Sequence, residues 1–263
     1  MNHAVDISYV SLFFCLLLLV IPVAISAKLR LGIINSTLVS ALRMALQLLL
    51  VGIFLTYIFR LNNPYANMLW FFVMIIFASG SVIKGAGLKV EYFMLPAILA
   101  LIAANLSVLL YFNSVIVGLD NIFDAKYIIA IGGMLLGNSL RGNIIGIGEF
   151  YNDLKKDENR YFYYLSAGAT KAEALMPFLR KSINSAMRPT IANMATMGIV
   201  SLPGMMTGQI LGGSSPLVAI KYQIAIMIAI FVSSMLSICF AILFTLKSCF
   251  NGHGIVEKGI YKR

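Results

Sequence analysis

Long apolar runs with very few charges recur along this chain, and they leave few folds open. They cover residues 7–27, 37–59, 66–83, 92–112, 127–150, 189–211 and 219–246. A helix rises about 1.5 Å per residue and a bilayer's hydrocarbon core is about 30 Å thick, so about 20 apolar residues suffice to cross it. A transmembrane barrel would instead alternate apolar and polar residues with period two, and these runs do not. The runs therefore predict an all-α polytopic membrane protein of about seven transmembrane helices.

Most of the charges fall between the runs. Of 263 residues, 60% are hydrophobic and only 11% charged, against roughly a quarter charged in a soluble domain. There are 20 Lys and Arg against 10 Asp and Glu, a net charge of +10. In a soluble chain that balance would suggest nucleic acid. Here it reads as loops retained on the cytoplasmic side, so no nucleic-acid partner is expected. Seven spans with the N-terminus outside and the C-terminus cytoplasmic place most basic residues on one side, leaving Arg60, Lys126 and Lys221 at the outer face. The first run has no Lys or Arg before it, and Lys28 and Arg30 follow it. That polarity is wrong for a cleaved signal peptide, and Pro22 is expected to kink the inner end of this span. No soluble domain, long linker or internal repeat is visible. Residues 1–263 read as one permease domain, with a cytoplasmic loop over 151–188.

Several polar residues lie within or beside the runs. Arg43 either snorkels to headgroups or pairs with a carboxylate such as Glu149, and Gln47 lies one turn further in. Gly133 and Gly137 make a GxxxG pair that suits close helix contact. Asn138, Arg141 or Gly142, Ile145 and Glu149 recur at helical spacing. Tyr57, Tyr65 and Trp70 surround an outer turn and read as an interfacial aromatic belt.

Catalytic chemistry lacks its parts. Residues 132–139 (GGMLLGNS) imitate a phosphate-binding loop, but Asn138 stands where the lysine belongs, and the segment is not set between a strand and a helix. The histidines, His3 and His253, sit near opposite ends. Cys15, Cys239 and Cys249 have no metal-ligand spacing. No nucleophile–base pair is apparent, so neither an enzyme nor a cofactor is expected. Proton-coupled carriers often hold carboxylates or histidines deep in the membrane. This chain has almost none, which favours energy supplied by a separate subunit.

Two stretches carry the functional expectation. In residues 163–175 a small-residue turn, Ser166-Ala167-Gly168-Ala169, leads to Thr170, which can cap a helix with Glu173 as the partner of a capping box. A short helix through Lys171, Ala172, Glu173 and Leu175 would then lie across the cytoplasmic face, either as an interfacial helix or as a docking lever. In the sixth run Pro203 interrupts helical bonding, and Gly204, Gly208 and Gly212 repeat every four residues. Met205 and Met206 offer thioethers, Thr207 and Gln209 oxygens. This region reads either as a small-residue packing seam or, with Asn138, as the wall of a translocation path.

The segment LSAGATKAEALMPFLRKSI resembles the coupling loop of ABC-transporter permeases, although Phe162 stands where those loops usually carry an acidic residue. A wider resemblance rests on Arg43, QLLLVG (47–52), Tyr57-Ile58-Phe59, Gly137-Asn138, LSAGAT, and SLPGMMTG (201–208) followed by AIKYQI (219–224). On these motifs the chain is similar to the FetB-type iron-export ABC permeases, whose plant relatives are linked to aluminium tolerance. The resemblance implies a permease homodimer in a bacterial inner membrane, with a separate ABC ATPase that docks on Gly168, Ala169, Thr170, Lys171, Ala172, Glu173 and Leu175. It implies export of iron or another metal ion, through ligands the sequence does not identify. Rival readings are a self-sufficient secondary carrier and a non-transporting membrane scaffold or sensor.

Overall fold

The computed structural model describes residues 7–250 and Gly259. His3, His253 and the basic residues Lys258, Lys262 and Arg263 lie outside the described residues. The elements are α1 (Tyr9–Leu17), α2 (Val20–Lys28), α3 (Ile34–Leu61), α4 (Pro64–Gly85) and α5 (Val90–Leu101). A π turn (Ile102–Leu106), α6 (Ser107–Tyr111) and a second π turn (Phe112–Val117) continue α5. Then come α7 (Ala125–Lys156), α8 (Glu158–Ser166), α9 (Lys171–Thr196), α10 (Gly204–Leu211) and α11 (Pro216–Cys249). An isolated β bridge pairs Met197 with Ser201.

Six helical stretches are long and apolar enough to cross a membrane: Val10–Lys28, Ile34–Leu61, Pro64–Gly85, Val90–Val117, Ala125–Lys156 and Pro216–Cys249. The all-α membrane architecture stands, with one correction to the count. The predicted span 189–211 is not continuous, because α9 stops at Thr196 and α10 starts at Gly204. The predicted kink of the first span also moves. Pro22 has no N–H for the carbonyl of Leu18 and crowds it, so the helix breaks at Leu18–Leu19, mid-span. Nor is 151–188 a loop with one short helix. α7 extends to Lys156, α8 follows, and α9 runs unbroken past Pro177 and Pro189.

α4, α5, α7, α9 and α11 form the packed bundle. Phe71, Leu109, Leu135 and Ile226 centre one apolar layer. Phe93, Tyr151, Phe178 and Ile238 centre a second, nearer the α8–α9 turn. A buried polar layer lies between them. Ser139 Oγ donates to Asn105 Oδ1 (3.0 Å), and Asn143 Nδ2 donates to Ser237 Oγ (2.7 Å), tying the first π turn, α7 and α11. Such bonds specify which helix faces meet, at a worth of about 0.6–2 kcal/mol each in a membrane. The π turn widens the backbone where Asn105 sits, and Asn105 Nδ2 bonds its own Leu101 carbonyl at 3.0 Å.

α3 stands apart. No residue in its most apolar stretch is buried. It is fastened at one end, where Asn62 Oδ1 accepts the Ala125 N–H (2.9 Å) and Asn62 Nδ2 donates to Asp124 (3.0 Å). Phe54 packs on Trp70 with ring centroids 4.2 Å apart, so Trp70 is half-buried instead of belonging to a belt, while Tyr57 and Tyr65 are exposed. Arg43 and Gln47 are exposed, and Arg43 makes no ion pair with Glu149. The expected Gly133–Gly137 contact is also displaced. Gly133 does abut Met74 of α4, at 3.2 Å from its Cβ direction, but a Cβ on Gly137 would meet nothing within 4 Å, and the tightest approaches are Gly132 on Phe71 and Gly146 on Ile238.

Candidate functional site: an elbow, a rod and a broken span

The elbow is a built turn, not a flexible one. Gly168 takes φ +91°, a backbone region that favours glycine. The Gly168 and Ala169 N–H groups close on the carbonyls of Leu165 and Tyr164 at 3.1 and 3.0 Å. The capping box forms as expected. Glu173 Oε2 accepts the Thr170 N–H (2.8 Å) and hydroxyl (2.7 Å), and the Glu173 N–H donates to Thr170 Oγ1 (3.4 Å). Gly168, Thr170, Ala172 and Glu173 are exposed, and Ala169 and Lys171 half-exposed. Leu175 turns inward with Ala174 and anchors the elbow in the core.

The Thr170 hydroxyl, and then its N–H, hold the Glu173 carboxyl below its ordinary range. A depressed carboxyl stabilises the fold above its unfolded value and loses that contribution as pH falls through the folded one. Amide-exchange protection over 171–175 is therefore expected to drop in acid. In Glu173→Gln protection should be lower at neutral pH and should not vary with acid; a wild-type profile in the variant would count against the box. Thr170→Ala is expected to cost the start of α9 about 1 kcal/mol.

The elbow is also tied to the far end of α11. Lys171 Nζ sits 3.9 Å from the centroid of the Phe250 ring, and that ring lies 6.3 Å from Tyr161. Burial lowers the Lys171 pKa, and the ring face attracts the ammonium that burial disfavours. Lys181 bonds Asp153 at 2.6 Å, joining α9 to α7; the lysine is largely exposed, so solvent screens the pair and it adds little to stability.

From the elbow α9 runs 26 residues, about 39 Å, to the break. There Met197 leaves helical geometry, and Gly198, at φ +87°, closes a turn through its N–H to the Ser201 carbonyl (2.9 Å). Pro203 caps α10 with its fixed φ of −62°. The interruption expected at Pro203 is thus a whole seven-residue turn that Pro203 ends. Met206 is buried, Met205 packs on the apolar layer, and the Gln209 side-chain oxygen is buried without a partner. The Thr207 hydroxyl folds back on the Pro203 carbonyl (3.2 Å). Gly204 and Gly208 are exposed, with nothing within 4 Å of either position's Cβ direction, so no seam forms on them inside this chain.

Asn138 is not brought to this region by any hydrogen bond. It donates to the Met134 carbonyl of its own helix (2.9 Å). Three residues outside the expected path set matter more. Gln223 of the AIKYQI motif is buried and donates to Met197 Sδ at 3.7 Å, which ties that motif to the start of the break. Arg141 lies mid-way along α7, exposed and with no ion pair. Asn193 is exposed one turn below the break. Arginine in mid-span was legible from the sequence; the Gln223–Met197 contact joins residues 26 apart and was not. Among the described residues no group of three His, Cys, Asp or Glu is placed to hold a metal ion.

Known proteins match this chain along nearly its whole length. The model of the uncharacterised protein family UPF0014 matches residues 9–250. The Escherichia coli (strain K12) protein described as the probable iron export permease protein FetB is 30% identical over 263 residues, 98% of each chain. The UPF0014 membrane protein YjkA of Bacillus subtilis (strain 168) is 28% identical, covering 93% of this chain and 96% of the relative. Protein ALUMINUM SENSITIVE 3 of Arabidopsis thaliana is 30% identical, covering 81% and 76%. No solved structure matches. Several bilayer-length helices, a motif tied to a broken span, and matches of this extent lead to one assignment: the chain belongs to the membrane permease family UPF0014.

Proposed function

We propose that this chain is the membrane subunit of an ABC exporter in a bacterial inner membrane, working as a homodimer with a separate ATPase and moving a metal ion outward. The observation that carries this reading is the continuity of α9. One end is the exposed, capped elbow and the other is the broken span, joined by a single helix that continues across Pro177 and Pro189. A docked ATPase that displaces the elbow would move the break about 39 Å away, because a hydrogen-bonded helix transmits displacement along its axis. The basic elbow end faces the cytoplasm in this orientation, with the N-terminus outside.

The break, with Pro203, Gly204, Met205, Met206, Thr207 and Gln209, borders the path. Irregular backbone at membrane depth suits a site that is buried or lines a water-filled cavity. Arg141, exposed in mid-span, needs the same polar surroundings. Thioethers suit soft ions and the side-chain oxygens harder ones, so the donors admit several metals. The FetB relative, described as a probable iron export permease, makes iron the first to test.

The test is reconstitution of permease and ATPase in liposomes. ATP-dependent flux of ferrous iron is expected. Flux that persists without the ATPase and follows a proton gradient would overturn the reading, as would no flux of any metal tried. Pro203→Ala and Met206→Leu are each expected to slow flux about tenfold, equivalent to about 1.4 kcal/mol. Wild-type rates in both would remove the break from the path. Phe250→Ala is expected to leave ATPase binding intact but cut the stimulation of ATP hydrolysis by cargo.

A further inference from the structure

Deepening the transport reading, on whose homodimer it rests, we infer that the α9–α10 break is where a second copy of this chain docks, and that α1–α3 is not. The break lies near mid-membrane by count. Met197 is nine residues, about 13 Å, beyond Arg188, and the eight residues of α10 add about 12 Å before the outer turn.

At that depth the turn leaves hydrogen-bonding groups open. The N–H groups of Ile199, Leu202, Gly204 and Met205 have no partner within the described chain, nor do the carbonyls of Met194 and Ala195. Each such group costs several kcal/mol against hydrocarbon. Yet this segment faces outward. Ile199 is 92% exposed and Val200 77%, and nothing of this chain approaches Gly204 or Gly208. Lipid cannot satisfy that surface, although its apolar side chains exclude a purely aqueous one.

A second copy satisfies both demands. The patch carries donors and acceptors together and no net charge, so a two-fold partner presents acceptors to donors and donors to acceptors. That self-complementarity is what an isologous contact requires. Small residues at Gly204 and Gly208 let the backbones approach closely. The rival surface, α3 with the first span, is exposed too but has no such need. α3 bonds internally, and the break between α1 and α2 closes through Leu18 and Leu19 N–H bonds to the Cys15 and Leu16 carbonyls (3.1 and 3.0 Å). Lipid is an adequate solvent for that backbone, and the exposed Arg43 and Gln47 lie toward the cytoplasmic end of α3, where long side chains can reach headgroups.

Oxidative cross-linking in native membranes tests this assignment. Ile199→Cys and Val200→Cys are each expected to give a reducible covalent dimer in most of the protein. Leu49→Cys, on exposed α3, and the wild type with its own cysteines should not. Cross-linking at Leu49 but not at 199 or 200, or a monomer throughout, would overturn the assignment. ATP-driven iron flux by the reduced variants separates the two readings. Flux without cross-links leaves the transporter standing and moves the interface elsewhere. Cross-links with no flux of any metal, in the wild type as well, keep the interface and remove the transporter.

Discussion

Replacing Ala169 and Ala172 together with arginine is expected to abolish co-purification of the partner ATPase while the permease still inserts and solubilises. Ala172 lies on the exposed side of the first turn of α9, next to the capping pair, and Ala169 is half-exposed at the turn. Arginine is a good helix former and the Thr170–Glu173 box does not depend on either methyl, so the elbow itself should survive. The loss would come from the contact. An arginine carried into a docking groove without an acceptor leaves a desolvated, unpaired charge, at about 3–5 kcal/mol. About 4 kcal/mol is a thousandfold in affinity, enough to empty the complex during purification. Ala172→Ser, small and polar, should keep binding. Unchanged co-purification of the double arginine variant would mean that the ATPase does not dock at the elbow.

Gly146→Leu should prevent accumulation of folded permease, whereas Gly137→Leu should leave folding of the chain unchanged. A Cβ at Gly146 would stand 2.8 Å from Ile238 Cγ2 and 3.5 Å from Ala186 Cβ, at the meeting of α7, α11 and α9. Neither neighbour is the free end of a long side chain, so the helices themselves must part. Overpacking costs about 1–3 kcal/mol or more even when a core can adjust, and here it would also strain the neighbouring Asn143–Ser237 bond. Gly137 faces open space. Size-exclusion profiles of detergent extracts from membranes expressing each variant separate them. A monodisperse folded peak of wild-type height for Gly146→Leu would show that the α7–α11 packing described above is wrong.

These glycines show where reading residues in order runs out. Gly133 and Gly137 stand at GxxxG spacing, and nothing local distinguishes them from Gly132, Gly142 and Gly146. Which of them meets a neighbour depends on how α7 is rotated about its axis. That rotation is set by Asn143 reaching Ser237 and Ser139 reaching Asn105, contacts between residues 94 and 34 positions apart. The extent of helix over 151–188 depends on tertiary contacts in the same way. Charges over 151–188 suggest loop, but Ala174, Leu175, Phe178 and Ala186 form a buried stripe that holds α9 as one rod.

What the amino-acid order determined by itself is whatever depends on neighbours along the chain. Runs of about 20 apolar residues can bury only as membrane helices; the capping box needs only Thr170 and Glu173; a proline must interrupt bonding near 203. Tertiary structure decided the rest. It set the meeting of Gln223 with Met197, the polar layer between two apolar ones, and the open backbone of the break. Those features arise from helix rotation and approach, which hydropathy summed along a span does not encode.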